Sequence, residues 1–153
     1  MIEMAATALH VSDLDQSLRF WRDTLGMRDN FDTGWTSDRA VFDLSGAAGP
    51  TEVRMVNLAD PAAPKEPPGP GQAAGVTLMQ FRGDDVTGIR GRFQDPGTLH
   101  IAFWVDRFDE RVAALSEAGY EQLGPVTQSV VGNNIRLVMF NDPDGFTLEM
   151  IAQ

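Results

Sequence analysis

The chain has 153 residues, of which 42% are hydrophobic, and it contains no cysteine. This length and composition predict one domain over residues 1–153, and the lack of cysteine excludes disulfides, thiolate metal sites and a cysteine nucleophile. The net charge of −10 argues against a nucleic-acid partner, because phosphate contacts need clustered lysine and arginine side chains. Without a signal-peptide pattern or an apolar run of membrane length, we expect a cytoplasmic protein with no membrane partner.

The first module is predicted to begin with a strand over residues 2–11, followed by a helix. Ser12 and Asp15 have the spacing of a capping box, in which side chains bind the free backbone N–H groups of a helix start. Four apolar residues then recur at helical spacing and predict one buried face: Leu14, Leu18, Trp21 and Leu25. Three further strands are predicted at residues 39–45, 52–58 and 76–81.

The second module repeats this order after a linker at residues 82–97. Its predicted elements are a strand over residues 98–105, a helix capped by Asp106, and strands at about 121–128, 135–140 and 146–151. A loop rich in proline and glycine is expected at residues 62–74. The sequence therefore predicts an α+β fold with two βαβββ modules in tandem. Module 1 spans about residues 2–81 and module 2 about residues 98–153.

A strand–turn–strand segment occurs in both modules and aligns them residue by residue. VRMVNLADP at residues 53–61 matches IRLVMFNDP at residues 135–143. GVTLMQF at residues 75–81 matches GFTLEMI at residues 145–151. The internal repeat therefore predicts which positions of the two modules are equivalent.

Glu149 is the charged residue of the last predicted strand and lies between Leu148 and Met150. An unpaired carboxylate in an apolar strand is costly to bury, so Glu149 is expected to face water, a partner group or a metal. The alignment of the two modules places Met79 opposite Glu149. Module 1 thus has no carboxylate at the equivalent position.

The tandem βαβββ order resembles the vicinal oxygen chelate superfamily, which includes glyoxalase I, extradiol dioxygenases, epimerases, fosfomycin-resistance enzymes and metal-free bleomycin-resistance proteins. The segments that carry the resemblance are VSDLDQSLRFWRDTLGM near the start and LHIAFWVD and DPDGFTLEM in module 2. The resemblance covers nearly the whole chain. It implies a cup-shaped mixed sheet with the helices outside, a small-molecule ligand inside the cup, and a homodimer.

Metal-dependent members of that superfamily place ligands on the first and last strands of each module. The resemblance maps these positions onto His100 and Glu149 in module 2, as metal ligands or as a catalytic acid–base pair. In module 1 it maps them onto Ala6 and Met79. Alanine has no donor atom, and methionine is not a usual ligand of these divalent metals. Half of the metal site is therefore missing.

His10 and Gln80 are the two candidates for a third metal ligand. His10 would complete a set of two histidines and one carboxylate, but the repeat places it opposite Trp104, roughly 13 Å along the strand from Ala6. Gln80 would reach the site through a one-residue bulge, whereas plain strand alternation turns it to the other face. Three alternatives are open: a site with one divalent metal (Fe, Mn, Ni or Zn), a metal-free cavity in which His100 and Glu149 bind or polarise a small molecule, and a structural role in which His100 is hydrogen-bonded in the core and Glu149 is paired.

Aromatic and basic side chains supply further candidates for ligand binding. Trp104 shares its strand face with His100, so it lines the cavity or belongs to the outer surface. Trp35 lies in the polar segment DTGWTSD, where it is either a lid over a ligand or an exposed ring. Arg54 and Arg136 occupy equivalent positions and either clamp a substrate carboxylate or lie on a solvated face. The predicted substrate-binding residues are His10, Trp35, Met79 and Trp104.

Two functions are compatible with these residues. The first is a small-molecule enzyme of the lyase, isomerase or dioxygenase kind, in which His100 and Glu149 hold a metal or move a proton. The alternative is a metal-free binding protein of the bleomycin-resistance type, which sequesters a ligand. The enzyme is favoured, because a sequestering pocket does not require both His100 and Glu149 at ligand positions.

Overall fold

Eight strands and two α-helices lie in the described part of the chain, which comprises residues 6–37, 50–63, 74–83, 97–129 and 135–153 of a computed structural model. The predicted strand at 39–45 lies outside these residues, as do most of the predicted loop and linker. The helices are α1 (Leu14–Leu18) and α2 (Phe108–Glu117). The strands are β1 (Ala6–His10), β2 (Arg28–Asp32), β3 (Pro50–Ala59), β4 (Gly75–Gly83), β5 (His100–Trp104), β6 (Thr127–Ser129), β7 (Ile135–Asn141) and β8 (Thr147–Ala152).

The chain divides into two units, each of which contains one four-stranded mixed sheet. Unit 1 comprises residues 1–18 and 26–88, with the strand order β1-β4-β3-β2. Unit 2 comprises residues 19–25 and 89–153, with the strand order β5-β8-β7-β6. In each sheet the first strand pairs in parallel with the last, and the other neighbours are antiparallel. The predicted α+β class with two βαβββ modules is confirmed.

The strand at Arg28–Asp32 was not predicted from the sequence. Its residues, RDNFD, lack the apolar alternation that identifies a half-buried strand. The segment is nevertheless paired with β3 along its length, with a register shift between Asp29 and Phe31. An edge strand of this kind is specified by its partner strand more than by its own propensity.

The first helix changes type within its length. Its cap is Asp13 rather than the predicted Ser12, because the Asp13 Oδ1 accepts a hydrogen bond from the Gln16 N–H at 3.0 Å. After α1 the chain continues as a π-helical turn over Arg19–Thr24, which belongs to unit 2. The wider turn buries Phe20 together with the predicted apolar face. The residues of that face are 4% exposed or less: Leu14, Leu18, Trp21 and Leu25.

The second helix begins without the predicted Asp106 cap. Arg107 precedes α2 in the left-handed conformation, with φ of 45°, and no side chain caps the helix start. The Asp106 carboxylate instead accepts a hydrogen bond from the Arg111 guanidinium at 2.6 Å. That hydrogen bond holds the pKa of Asp106 below its usual value. Arg111 also donates to the backbone carbonyl of Leu25, so it ties α2 to the π-helical turn.

A buried hydrogen-bond network closes the core of unit 2. The Trp21 indole N–H donates to the Asp142 Oδ2 at 3.0 Å. The Oδ1 of the same carboxylate accepts from the backbone N–H groups of Asp144 and Phe146 at 3.0 and 2.8 Å. Burial raises the pKa of Asp142, and these N–H donors act in the opposite direction. One carboxylate thus joins the π-helical turn to the turn before β8.

None of the helices in the described ranges is long and apolar enough to span a membrane.

Candidate functional site

Strand alternation gives the sheet of unit 2 two different faces. One face packs against α2, as the ion pair between Arg136 and Asp109 demonstrates. We call the opposite face the distal face of unit 2. Its described side chains on β5, β7 and β8 are His100, Ala102, Trp104, Ile135, Leu137, Met139, Asn141, Thr147, Glu149 and Ile151.

His100 and Glu149 lie beside each other on the distal face. His100 is opposite Thr147 in the β5–β8 pair, and Glu149 is opposite Ala102 in the same pair. The His100 Nε2 is 3.7 Å from the Glu149 Oε2. The imidazole is 48% exposed, whereas the carboxylate side chain is 15% exposed. A largely buried carboxylate next to an accessible imidazole can accept a proton from a ligand that contacts both groups.

A row of polar residues adjoins this pair at one end of the sheet. The Thr147 hydroxyl donates to the Asn141 Oδ1 at 3.3 Å, and the Asn141 Nδ2 donates to the Glu121 carboxylate at 2.9 Å. Thr147 is 4% exposed, so its hydroxyl needs this partner. These three residues were not predicted from the sequence, because their proximity depends on the pairing of β7 with β8.

Strand register corrects one predicted equivalence between the modules. Asn57 corresponds to Met139 in the internal repeat; in the structure Asn57 pairs with Thr77, whereas Met139 pairs with Glu149. Thr77, rather than Met79, therefore occupies the position of Glu149. The prediction for Met79 was wrong by two residues.

Hydrogen bonds between the parallel strands support the same register. The Val11 N–H donates to the Met79 carbonyl at 2.8 Å, and the Val105 N–H donates to the Ile151 carbonyl at 2.9 Å. Since Val11 and Val105 are equivalent in the repeat, Met79 corresponds to Ile151. The same register keeps Ala6 at the position of His100.

At the position of Glu149, unit 1 has a neutral hydrogen-bonded cluster. The Asn57 Nδ2 donates to the Thr77 hydroxyl at 2.9 Å, and the Asn57 Oδ1 accepts from the Asn30 Nδ2 at 3.2 Å. Thr77 and Asn57 are 9% and 6% exposed. At this position unit 1 therefore has amide and hydroxyl groups that hydrogen-bond to each other, whereas unit 2 has a carboxylate.

The other predicted ligand-binding residues lie at separate places. His10 is opposite Met79 in unit 1, and its ring contacts Phe81 edge to face at 5.4 Å between centroids. Trp35 lies beneath the Arg82 guanidinium, which is 3.4 Å from the indole centroid. Trp104 is 65% exposed on the distal face of unit 2. Of these residues, Trp104 shares a sheet face with His100 and Glu149.

The two equivalent arginines face helices in their respective units. Arg54 pairs with Asp32 at 2.6 Å and with Asp15 of α1 at 3.8 Å. Arg136 pairs with Asp109 of α2 at 2.5 Å and holds the pKa of that carboxyl below its usual value. Both guanidinium groups thus have carboxylate partners within the chain, which disfavours their use as a clamp for a substrate carboxylate.

Gln80 binds the start of α1 with both ends of its amide. Its Oε1 accepts from the Leu14 N–H at 3.1 Å, and its Nε2 donates to the Ser12 carbonyl at 2.9 Å. Leu14 is the first residue of the helix, whose N–H has no partner within the helix itself. Strand alternation thus turns Gln80 towards α1, and a role as a metal ligand would require breaking both bonds.

Substitution of Gln80 by leucine is expected to lower the free energy of unfolding by about 1–2 kcal/mol, because the Leu14 N–H loses its acceptor. Urea denaturation followed by tryptophan fluorescence measures this loss. The matched control is Gln128→Leu at an exposed position of β6, which should change stability by less than about 0.5 kcal/mol. Equal effects of the two substitutions would contradict the capping role of Gln80.

The resemblance implies a site for a divalent metal ion. No group of three or more histidine, aspartate or glutamate side chains that could hold a metal ion occurs among residues 6–37, 50–63, 74–83, 97–129 and 135–153. His100 and Glu149 supply two donors, and three or four protein ligands are usual for a catalytic divalent ion. The described residues therefore do not fit a resident divalent metal.

The chain matches one known protein family. The family model described as Glyoxalase/Bleomycin resistance protein/Dioxygenase superfamily matches residues 3–150. A comparison with curated protein sequences finds no significant match to this chain.

Solved structures from several organisms are similar to this chain over nearly its whole length. A glyoxalase family protein from Bacillus cereus aligns with a TM-score of 0.80 and 19% identity, over 99% of this chain and 94% of that protein. The trypanothione-dependent glyoxalase I of Leishmania major aligns with a TM-score of 0.65 and 20% identity, covering 99% and 87%. The fosfomycin resistance protein FosX of Listeria monocytogenes, complexed with Mn(II) and sulfate, aligns with a TM-score of 0.63 and 16% identity, covering 100% and 94%. At these identities the likeness establishes the fold alone.

Proposed function

Because the chain belongs to the glyoxalase/bleomycin resistance protein/dioxygenase superfamily, we propose that it is an enzyme that moves a proton on a small molecule at the distal face of unit 2. The observation that carries this proposal is the 3.7 Å approach of the His100 imidazole to the largely buried Glu149 carboxylate. The homodimer and the cytoplasmic location expected from the sequence stay predictions.

Glu149 is the general base of the proposed reaction. Its carboxylate takes a proton from a carbon next to a ligand carbonyl, so the C–H bond breaks and the electron pair forms an enolate. His100, which is more exposed, donates a hydrogen bond to the oxygen on which negative charge develops. The Glu149 carboxyl exchanges its proton with solvent and returns a solvent-derived proton to the carbon, which regenerates the keto form and gives hydrogen exchange.

The reaction is proposed to need no metal. Treatment with a chelator such as EDTA, followed by dialysis, is expected to leave the rate within about twofold of its starting value, because two donors do not retain a divalent ion. Calorimetric titration with Mn²⁺, Ni²⁺ and Zn²⁺ should give no stoichiometric heat. Loss of the rate on chelation and its recovery with one equivalent of metal would overturn metal independence and leave the acid–base pair to be reinterpreted as ligands.

Hydrogen exchange in D₂O tests the proposed chemistry without knowledge of the net reaction. The protein is incubated with a panel of small ketones and aldehydes, and loss of each α-hydrogen signal is followed by proton NMR. We expect at least one compound to exchange faster with protein than with buffer alone. Binding of panel members, measured by saturation-transfer NMR, without any accelerated exchange would refute the enzyme.

The second candidate is a ligand-binding protein. The 65% exposure of Trp104 favours it, because an accessible indole on the same sheet face as His100 and Glu149 suits ligand stacking without chemistry. The same NMR panel separates the two functions, since a binder gives saturation transfer but no exchange. The enzyme is the better supported function, because stacking alone does not need a largely buried carboxylate beside an imidazole.

A further inference from the structure

We propose that the distal face of unit 2 selects an amphipathic small molecule without negative charge, whose apolar end lies on Trp104, Ile151 and Leu137 and whose polar end reaches His100 and Glu149. This inference rests on the proposed function for the location of the reacting group. It adds the substrate class and names Trp104 as the residue that determines specificity.

Strand pairing arranges the side chains of the distal face in rows that run across β5, β8 and β7. The rows become more apolar from His100 towards Trp104. The first row is polar, because Thr147 lies between His100 on β5 and Asn141 on β7. The third row is apolar, because Ile151 lies between Trp104 and Leu137.

The reactive carboxylate occupies the row between these two. Glu149 has Ala102 on one side and Met139 on the other. Neighbouring rows are separated by two residues along a strand, about 7 Å. A ligand of two or three carbon–carbon bonds between its ring and its reacting carbon therefore spans from Trp104 to Glu149.

The charge of the described side chains on this face disfavours an anionic ligand. Among its described side chains are the carboxylates of Glu149 and, at the end of the polar row, Glu121. The nearest strand arginine, Arg136, points to the other face and is paired with Asp109. No arginine or lysine lies on the distal face in the described part of unit 2. A ligand carboxylate or phosphate would meet the like charge of Glu149, and its one basic neighbour on this face in the described part of unit 2 would be His100, which already lies 3.7 Å from Glu149.

Trp104 provides the area that the apolar end requires. An indole that is 65% exposed keeps most of its surface free for a ligand ring, and a packed aromatic pair gains affinity beyond area alone. Ile151 and Leu137 are partly exposed beside it, so the three side chains form a continuous apolar surface. The apolar surface ends at Glu149, where the polar row begins.

Three matched probes test this assignment: phenylacetone, which is neutral with a ring; 2-butanone, which is neutral without one; and phenylpyruvate, which has a ring and a carboxylate. Affinities are measured by saturation-transfer NMR titration. We expect phenylacetone to bind about tenfold more tightly than either other probe. Trp104→Ala should remove the preference over 2-butanone, and Trp104→Leu should restore part of it. Gln128→Ala, at an exposed position of β6 that pairs with Arg136 and so lies on the face opposite Trp104, is the control and should change nothing.

The outcomes separate this inference from the proposed function. If phenylacetone binds with the expected preference but the hydrogens of its methyl group, whose carbon is three bonds from the ring, do not exchange in D₂O, the subsite stands and the enzyme fails. Tighter binding of phenylpyruvate, an unchanged ring preference in Trp104→Ala, or no binding of any probe overturns the subsite. A change of molecular mass in Trp104→Ala by light scattering, with no probe binding, would instead assign Trp104 to an interface between copies.

Discussion

Replacing Glu149 with glutamine is expected to slow catalysed hydrogen exchange by about 100-fold or more, while the affinity for the same ligand changes by less than about threefold. Glutamine preserves the shape of the side chain but cannot accept the proton, and a positioned base contributes about 100- to 10,000-fold to such a step. The measurement is the exchange rate in D₂O at saturating ligand, with affinity from a separate NMR titration.

Two comparisons make this result interpretable. Glu117→Gln removes a carboxylate from the exposed end of α2 and should leave exchange unchanged, which controls for the loss of one negative charge. A matching unfolding midpoint of Glu149→Gln and the original protein shows that the fold is kept. Exchange at the original rate in Glu149→Gln would show that another group is the base. A parallel loss of affinity and rate would indicate a binding role for the carboxylate.

Replacing Asp142 with alanine is expected to lower the free energy of unfolding by about 3 kcal/mol. The substitution removes the acceptor of three N–H groups: the buried indole N–H of Trp21 and the partly buried backbone N–H groups of Asp144 and Phe146. A buried donor that loses its acceptor lowers the free energy of unfolding by about 1–3 kcal/mol. Removing the buried carboxylate also removes the cost of its burial, which offsets part of the lost stability. Urea denaturation at fixed pH measures the change.

A double-mutant cycle isolates the indole–carboxylate bond from the rest of this loss. Trp21→Phe removes the indole N–H but keeps an aromatic ring, so the cycle with Asp142→Ala should give a coupling energy of about 1–2 kcal/mol. Glu117→Ala again serves as the control at an exposed carboxylate, with a change below about 0.5 kcal/mol. Additive effects of Trp21→Phe and Asp142→Ala would show that the 3.0 Å contact contributes no stability of its own.

The sequence predicted those parts of the fold that are specified by local pattern. The spacing of Leu14, Leu18 and Trp21 predicted a helix face that is buried in the structure. Helical periodicity can be recognised from the spacing of apolar residues in the sequence alone. The strand β2 was missed, because its polar residues are held in the sheet by β3 rather than by their own preference. The π-helical form of Arg19–Thr24 was likewise not predicted, because the spacing of apolar residues indicates a helix but not its type.

The candidate site was predicted in part, and its error has a definite cause. Aligning Gly75 with Gly145 placed Met79 opposite Glu149, but the two glycines serve different purposes. Gly145 has φ of 89° in the turn before β8, a backbone conformation that suits glycine. Gly75 lies within β4, where an added Cβ would be 2.6 Å from the Leu58 carbonyl oxygen. Sequence similarity cannot separate a turn glycine from a close-packing glycine, whereas strand register can.

The membership of Trp21 in unit 2 has a consequence for how the protein is made. The indole and its carboxylate acceptor are 121 residues apart along the chain. During synthesis the π-helical turn emerges early, yet its buried hydrogen bond cannot form until Asp142 has left the ribosome. Closing a contact of such long range is slow compared with local helix formation. The Trp21 indole therefore lacks its buried acceptor for as long as Asp142 has not been made.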